Sequence, residues 1–298
     1  MPDTAFADPD AGLSPAELAA RHGLGFAGTR PTLGGYARQL WAYRHFIVAY
    51  SNARVSASFS LTRLGRLWQV LTPLTNAAVY YLIFGVVLAT RHSTPNFIAY
   101  LCTGLFIFVF TQTVAQAGVA SITGNMGLIR ALHFPRACLP IAIALIELQN
   151  IGASMLVLTG IVLLTGEPLT WEWLLIFPAL ALQMIFNTGL GMFLARLGSK
   201  MTDLKQVIPF VMRTWMYGSG VFYASSLFAE HLPRWAAVIV EANPMLVYIE
   251  LIRHAMLENV KLSSTLPHLW LLAVVWALVV FVGGYVYFWR GEQEYGRG

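Results

Sequence analysis

Charge is what this sequence lacks most. Only 11% of its 298 residues are Asp, Glu, Lys or Arg, while 57% are hydrophobic. A soluble domain carries about 25% charged residues. The shortfall runs along most of the chain and excludes an ordinary soluble protein. Cysteine is nearly absent too. Cys102 and Cys138 each lie in or beside an apolar run, so neither a disulfide framework nor a metal site is expected. The first thirty residues hold Asp3, Asp8, Asp10, Glu17 and several prolines but no apolar core, so no signal peptide is expected. Residues 1–32 read as a flexible cytoplasmic tail, with a short helix at most, opened by Ser14, Pro15 and Glu17.

A phosphate-binding loop is also missing. Gly198-Ser199-Lys200 resembles the end of one, but the position five residues before Gly198 is Phe193 instead of glycine. The chain is therefore expected to hydrolyse no ATP itself, to hold no cofactor and not to be an enzyme. Acids are scarce inside the apolar runs, where Glu147 is the embedded carboxylate. A proton-coupled carrier needs a relay of ionisable groups, and an enzyme needs an acid–base pair. The net charge of +5 would suit nucleic acid. The cations, however, are few and follow membrane topology, so no nucleic-acid partner is expected.

What the sequence does have is long apolar runs. A membrane-spanning helix needs about 20 such residues, and six segments qualify: 67–89, 97–120, 139–165, 173–195, 207–228 and 268–289. A seventh, 235–257, is interrupted by Glu241, Asn243, Pro244, Glu250, Arg253 and His254. Polar backbone at membrane depth requires cover from protein or a water-filled cavity. This segment therefore reads as a re-entrant pair of short helices between spans five and six. The expected class is an all-α integral membrane protein with six transmembrane helices. With the N-terminus inside, 14 of the 19 Lys and Arg residues fall in cytoplasmic segments, four (Arg91, Arg234, Arg253, Lys261) fall outside, and Arg213 lies within a span. The positive-inside rule then puts both termini in the cytoplasm, with the chain in the cytoplasmic membrane.

Two further elements are expected on the inner side. Along 33–54, Tyr36, Leu40, Tyr43, Ile47 and Tyr50 fall within about 40° of one line at 100° per residue. Arg38 lies on the opposite face. That pattern predicts an amphipathic helix, lying in the headgroup region or packed on protein, with a hinge at Gly34-Gly35 just ahead of it. Along 124–136, Leu128, Ile129, Arg130, Leu132, His133, Phe134 and Arg136 are too apolar for a bare loop. Asn125 can cap a short helix there and Pro135 can stop it. Such a helix wants a cytosolic partner, with Arg130 and Arg136 steering the contact.

Glu147 and Arg213 each lie roughly 10 Å in from the inner end of a span. An unpaired charge there costs on the order of 3 kcal/mol. They are expected to pair, unless Arg213 meets an anionic substrate or snorkels to the interface. Tyr80, Tyr81 and Phe84 in span one, and Trp215, Tyr217, Phe222 and Tyr223 near span five, either line a glycan path or serve as core and interface belt.

Leu64-Gly65-Arg66-Leu67-Trp68, Leu71-Thr72-Pro73-Leu74 and the stretch from Val79 to Gly85 resemble the first span of ABC-2 type export permeases. Leu128-Ile129-Arg130 with Phe134-Pro135-Arg136 and Leu139-Pro140 is similar to that family's cytoplasmic turn. The segment Thr202 to Tyr223 resembles its fifth span, although Thr202 stands where an arginine is usual. Asn243-Pro244-Met245 to Glu250 resembles its re-entrant segment. The likeness runs from about residue 33 to the end and is greatest to the Wzm-type and teichoic-acid permeases. It implies a homodimeric pore above two copies of a separate ATPase subunit, which would hold ATP and Mg. It implies that 33–54 and 124–136 couple to that ATPase and that Asn243, Pro244, Glu250 and Arg253 form an outer gate. The cargo would be a lipid-diphosphate-linked polysaccharide of O-antigen, teichoic acid or galactan type. Arg54, Arg63 and Arg66 are candidates for holding the diphosphate, or are there for topology alone. The alternatives are an ABC-2 permease for drugs or lipids and a membrane-bound glycan-processing enzyme.

Overall fold

The computed structural model describes residues 14, 17, 21, 31–60, 67–83, 96–222 and 233–295. Its described residues are helical, with turns and short extended links but no strand. In chain order the helices are α1 (Leu33–Ala42), α2 (Arg44–Ser60), α3 (Leu67–Tyr80), α4 (Phe97–Val119), α5 (Met126–Ala131), α6 (Cys138–Leu164), α7 (Ile176–Lys200), α8 (Leu204–Tyr217), α9 (Arg234–Glu241), α10 (Pro244–Met256) and α11 (Leu266–Arg290). Single 3-10 turns precede α5 (Thr123–Asn125) and α7 (Trp171–Leu175).

Four helices are long and apolar enough to cross a membrane: α4, α6, α7 with its leading 3-10 turn, and α11. Spans two, three, four and six were expected at these places. α4 is apolar on every side, and most of it is buried within the protein. It sits at the centre, packed by α6, α7, α8 and α10. A helix without a polar face belongs in such a position.

α7 and α11 form the closest helix pair. A Cβ on Gly284 would collide with the backbone of Gly189, and one on Gly189 with that of Val280 and Phe281. Small residues let backbones touch, which is how helices gain van der Waals contact where lipid removes the hydrophobic drive. α4 and α7 also approach through glycines, Gly118 at Gly191 and Gly198 at Val119, and polar groups join them as well. Thr111 Oγ1 donates to Asn187 Oδ1 at 2.7 Å, and Gln183 Nε2 donates to Ile107 O at 2.9 Å. Hydrogen bonds of this kind contribute about 0.6–2 kcal/mol between spans.

Span five departs from expectation. α8 ends at Tyr217, and Gly218–Phe222 turn away; the rest of the expected span lies outside the described residues. The reason is local and tertiary together. Gly220 sits at φ +65°, a left-handed conformation that stops a helix. The carbonyls of Gly220 and Val221 are then taken by Arg253. α3 is described as far as Ile83, so the end of span one also lies outside the described residues.

The broken segment at 235–257 forms two helices, α9 and α10, parted at Ala242-Asn243. Asn243 caps α10 by accepting from Met245 N at 3.0 Å, and Pro244 occupies its first turn. α10 is nearly all buried, wedged against α4, α7 and α11.

Candidate functional site at the α4–α6 connection

The connection between α4 and α6 lies at the same end of the bundle as α1 and the C-terminal ends of α7 and α11. Helix and coil share the work there. α5 is a helix of only six residues, and Leu132 to Pro135 continue without regular structure. The expected helix over 124–136 is thus shorter. Pro135 drives the residue before it out of the helical region, and the helix has already stopped at Ala131. Asn125 stands at its N-cap position, but its side chain makes no capping hydrogen bond. Its side chain accepts from Tyr50 Oη at 2.9 Å and donates to Ser121 O at 2.7 Å, tying the connection to α2 and α4.

The face of α1 and α2 expected to meet lipid packs on this connection instead. Tyr36 is 1% exposed and Ile47 8%. Phe46 lies 5.0 Å from the Phe134 ring, Tyr43 Oη donates to His133 O at 3.1 Å, and Ser51 Oγ donates to Ala142 O at 3.2 Å. Leu40 packs in the same cluster. The stripe is real, but protein covers most of it. Leu33, Trp41, Tyr43 and Val48 are exposed large apolar residues of the pair, and Arg38 is exposed. Gly34 and Gly35 lie inside the first turn of α1, where Thr32 accepts from Gly35 N at 3.1 Å, so they are part of the helix rather than a hinge ahead of it.

The intrachain cover also corrects the expectation for the connection. Ile129 is buried, Leu128 and Phe134 are half-buried, and Arg136 is held. Arg130, Leu132 and His133 remain exposed. Between this ridge and α1 lies a cavity of about 610 Å³, lined by Tyr36, Gln39, Tyr43, Ile129, Leu132, His133, Arg136 and Glu292 among others.

At its floor sits a carboxylate that the sequence reading passed over. Glu292 Oε2 accepts from Tyr36 Oη at 2.6 Å and Oε1 accepts from Arg136 N at 2.9 Å. The Arg136 guanidinium lies 3.6 Å from Oε1. Tyr36 Oη in turn accepts from Ala137 N at 3.2 Å. These N–H groups open α6, where they have no helical partner, and an acid there is favoured by the helix dipole. Burial nonetheless pushes the Glu292 carboxyl above its ordinary value, against the lowering effect of Tyr36 and Arg136. Burial, together with the nearby Glu292 charge, raises the Tyr36 phenol as well. An acid three residues past a predicted span, in a chain with 14 acidic residues, was the available signal.

The other expected site residues scatter. Arg253 is fully buried. It donates through Nε and Nη2 to Tyr100 O (3.2 and 3.0 Å), through Nη1 to Gly220 O (2.7 Å) and through Nη2 to Val221 O (2.9 Å). Glu250 accepts from Ser263 N and Oγ, the latter at 2.6 Å. Asn243 accepts from Trp215 Nε1 at 3.0 Å. With Pro244 at the start of α10, these four residues brace the fold around α10, and Arg253 does not belong among exposed outer cations. Glu147 and Arg213 are not paired. Glu147 accepts from Asn150 at 3.1 Å beside a cavity of about 340 Å³, while Arg213 is exposed on α8. Phe222 is fully buried, Trp215 and Tyr81 are half-buried, and Tyr217 is exposed against the Phe222 ring. Arg54 is exposed beside the Tyr50 ring. Arg63, Arg66, Phe84, Tyr223 and the side chain of Tyr80 lie outside the described residues.

Comparison with known proteins decides the family. The model of the ABC-2 type transporter matches residues 51–257, more than half of the chain. The chain belongs to the ABC-2 type transporter family. Its similar relatives include the O-antigen export system permease protein RfbA of Myxococcus xanthus, 26% identical over 70% of this chain and 78% of the relative. The polysialic acid transport protein KpsM of Escherichia coli is 25% identical over 80% and 90%. The capsule polysaccharide export inner-membrane protein CtrC of Neisseria meningitidis is 22% identical over 64% and 71%. An ABC-2 permease is a transport component rather than an enzyme, and it works with an ABC ATPase. The matched region contains the α4–α6 connection and α10. It stops short of Tyr36 and Glu292, so both of these side chains lie beyond it.

Proposed function

We propose that this chain is the permease subunit of an ATP-driven exporter that moves a lipid-diphosphate-linked polysaccharide of O-antigen, teichoic acid or galactan type across the cytoplasmic membrane. The observation that carries the reading is the agreement of the named relatives, which are permeases or transport proteins for O-antigen and capsular polymers and match most of the chain. That agreement favours a polymer over a drug or a membrane lipid as cargo. The exposed ridge of Arg130, Leu132 and His133 beside the 610 Å³ cavity is the surface for the ATPase. Two ATPase copies, holding ATP and Mg, would sit under two copies of this chain. α3 and α8 supply apolar faces for the second copy: Leu67, Trp68 and Leu71 on one, Val207, Phe210 and Val211 on the other are exposed. In this reading α3 and α8 belong to spans one and five, α9 and α10 form the re-entrant pair, and both termini are cytoplasmic. Exposed Arg54 is available to a diphosphate near the inner surface.

The test is co-purification with the ATPase subunit from membranes, joined to a deletion strain in which polymer is followed. Polymer should collect on its lipid inside the cell and disappear from the surface. A deletion strain with normal surface polymer, and a purified chain that associates with no ABC ATPase, would end the reading.

A further inference from the structure

The first five residues after α11, 291–295, join more elements than their length requires. Glu292 reaches Tyr36 on α1 and the backbone of Arg136 at the mouth of α6, across sequence separations of 256 and 156 residues. Its own carbonyl accepts from Arg136 Nη1 at 3.4 Å. Tyr295 is buried and donates to Phe288 O at 3.2 Å, which folds the segment back on α11. Glu294 lies 3.4 Å from Lys200 at the end of α7. Arg196 of α7 bonds the carbonyl of Tyr287 and lies 4.3 Å from its ring centroid. The N-terminal helix is fastened to the same place, since Tyr285 Oη donates to Leu33 O and Trp289 Nε1 to Pro31 O, both at 2.9 Å. The side chain at the centre is a buried carboxylate, and leaving a buried polar group without its partners is unfavourable, more so when it is charged. The contact therefore holds one geometry rather than sliding.

We propose that Glu292 is the positioning residue through which movement of the α4–α6 connection reaches α1 and the α7–α11 pair. This rests on the reading that the connection docks an ATPase. A push on Leu132 and His133 travels along the chain to Arg136 and Ala137. Both backbone N–H groups end on the Tyr36–Glu292 pair, so α1 and the end of α11 move with the start of α6 as one body. Without the carboxylate, the end of α11 would lag behind α6, and α1 would keep only the bond from Ala137 N to Tyr36 at that point.

The experiment uses the full permease with its ATPase subunit in lipid nanodiscs and vesicles. It compares wild type with Glu292→Ala, Tyr36→Phe and the double variant. The readouts are assembly, ATP hydrolysis and polymer exported per ATP. Glu292→Ala should leave an assembled complex that still hydrolyses ATP, while export per ATP falls about tenfold. Tyr36→Phe, which deletes one oxygen, should reduce it less, and the double variant should lose less than the two single losses combined, because the Tyr36–Glu292 hydrogen bond is common to both. If Glu292→Ala fails to assemble, Tyr36→Phe decides the matter alone. Export per ATP unchanged in either assembled variant, or additive losses in the double, would overturn the proposal. A wild-type chain that binds no ATPase would instead refute the reading beneath it.

Discussion

Replacing Arg253 by methionine tests how the centre of the fold is held. Methionine keeps much of the volume and removes every donor. Four hydrogen bonds to three backbone carbonyls disappear, those of Tyr100, Gly220 and Val221. The guanidinium carbon also lies 3.4 Å from the Tyr100 ring centroid, so a cation–π contact goes with them. Each buried carbonyl left unsatisfied costs about 1–3 kcal/mol. Part of that is offset, because burying the charge was itself expensive. A net loss of about 3–5 kcal/mol is expected, the range found when one partner of a buried charged contact is removed. At 1.4 kcal/mol per factor of ten, this raises the local opening equilibrium by roughly 10² to 4 × 10³. Cys102, buried on α4 between Tyr100 and Gly104, reports that opening. In a Cys138→Ala background it is the one thiol left, since the chain has two cysteines. Its labelling rate by a maleimide in detergent should rise by that factor in Arg253→Met. A change below about fivefold would show that α10 is held by packing alone and refute the argument.

Three further outcomes follow from other contacts. Gly284→Ala should push α11 off Gly189 and lower stability by several times the 1–3 kcal/mol usual for overpacking, read as loss of monodisperse protein on mild heating; normal behaviour would mean the two backbones are not in contact. Arg130→Glu with Leu132→Asp should abolish co-purification with the ATPase while insertion continues, and retained binding would move the docking surface elsewhere. Glu292 gives a pH dependence, with Tyr36, Arg136, Cys138, Tyr285 and Tyr295 as the titratable or charged groups coupled to or bonded with it. Its carboxyl is raised in the folded state, so the native protein binds a proton more readily than the unfolded chain does. The stability this contributes is complete below the ordinary value of 4.5 and is lost as pH rises through the raised folded value. Unfolding of the wild type should ease as pH climbs through that window, and Glu292→Gln should flatten the slope. Equal slopes would contradict the burial argument.

Much of the membrane architecture was legible in the chain because it depends on composition. A run of about 20 apolar residues has few alternatives to a spanning helix, and four such helices stand where the runs are. The break at Asn243-Pro244 was also readable, since a cap followed by proline marks a helix start wherever it falls. Faces were harder. The stripe of Tyr36, Leu40, Tyr43 and Ile47 announced an amphipathic helix but could not say what it would cover, because headgroups and a protein groove ask for the same residues. Arg253 shows the opposite failure. A cation in the interrupted segment reads as lying on the outer side, yet its guanidinium makes four hydrogen bonds, two to Tyr100 O and two to the carbonyls of Gly220 and Val221 in the turn beyond the end of α8.

The sequence by itself determined the long apolar helices and the order in which they come, because each follows from residues near one another. Partnerships across the fold were decided only by tertiary structure. Glu292 meets Tyr36 from 256 residues away, and no local pattern encodes such a meeting. It exists because packed helices bring α11 back to where α1 began, and burial then makes the carboxylate dependent on the donors it finds there.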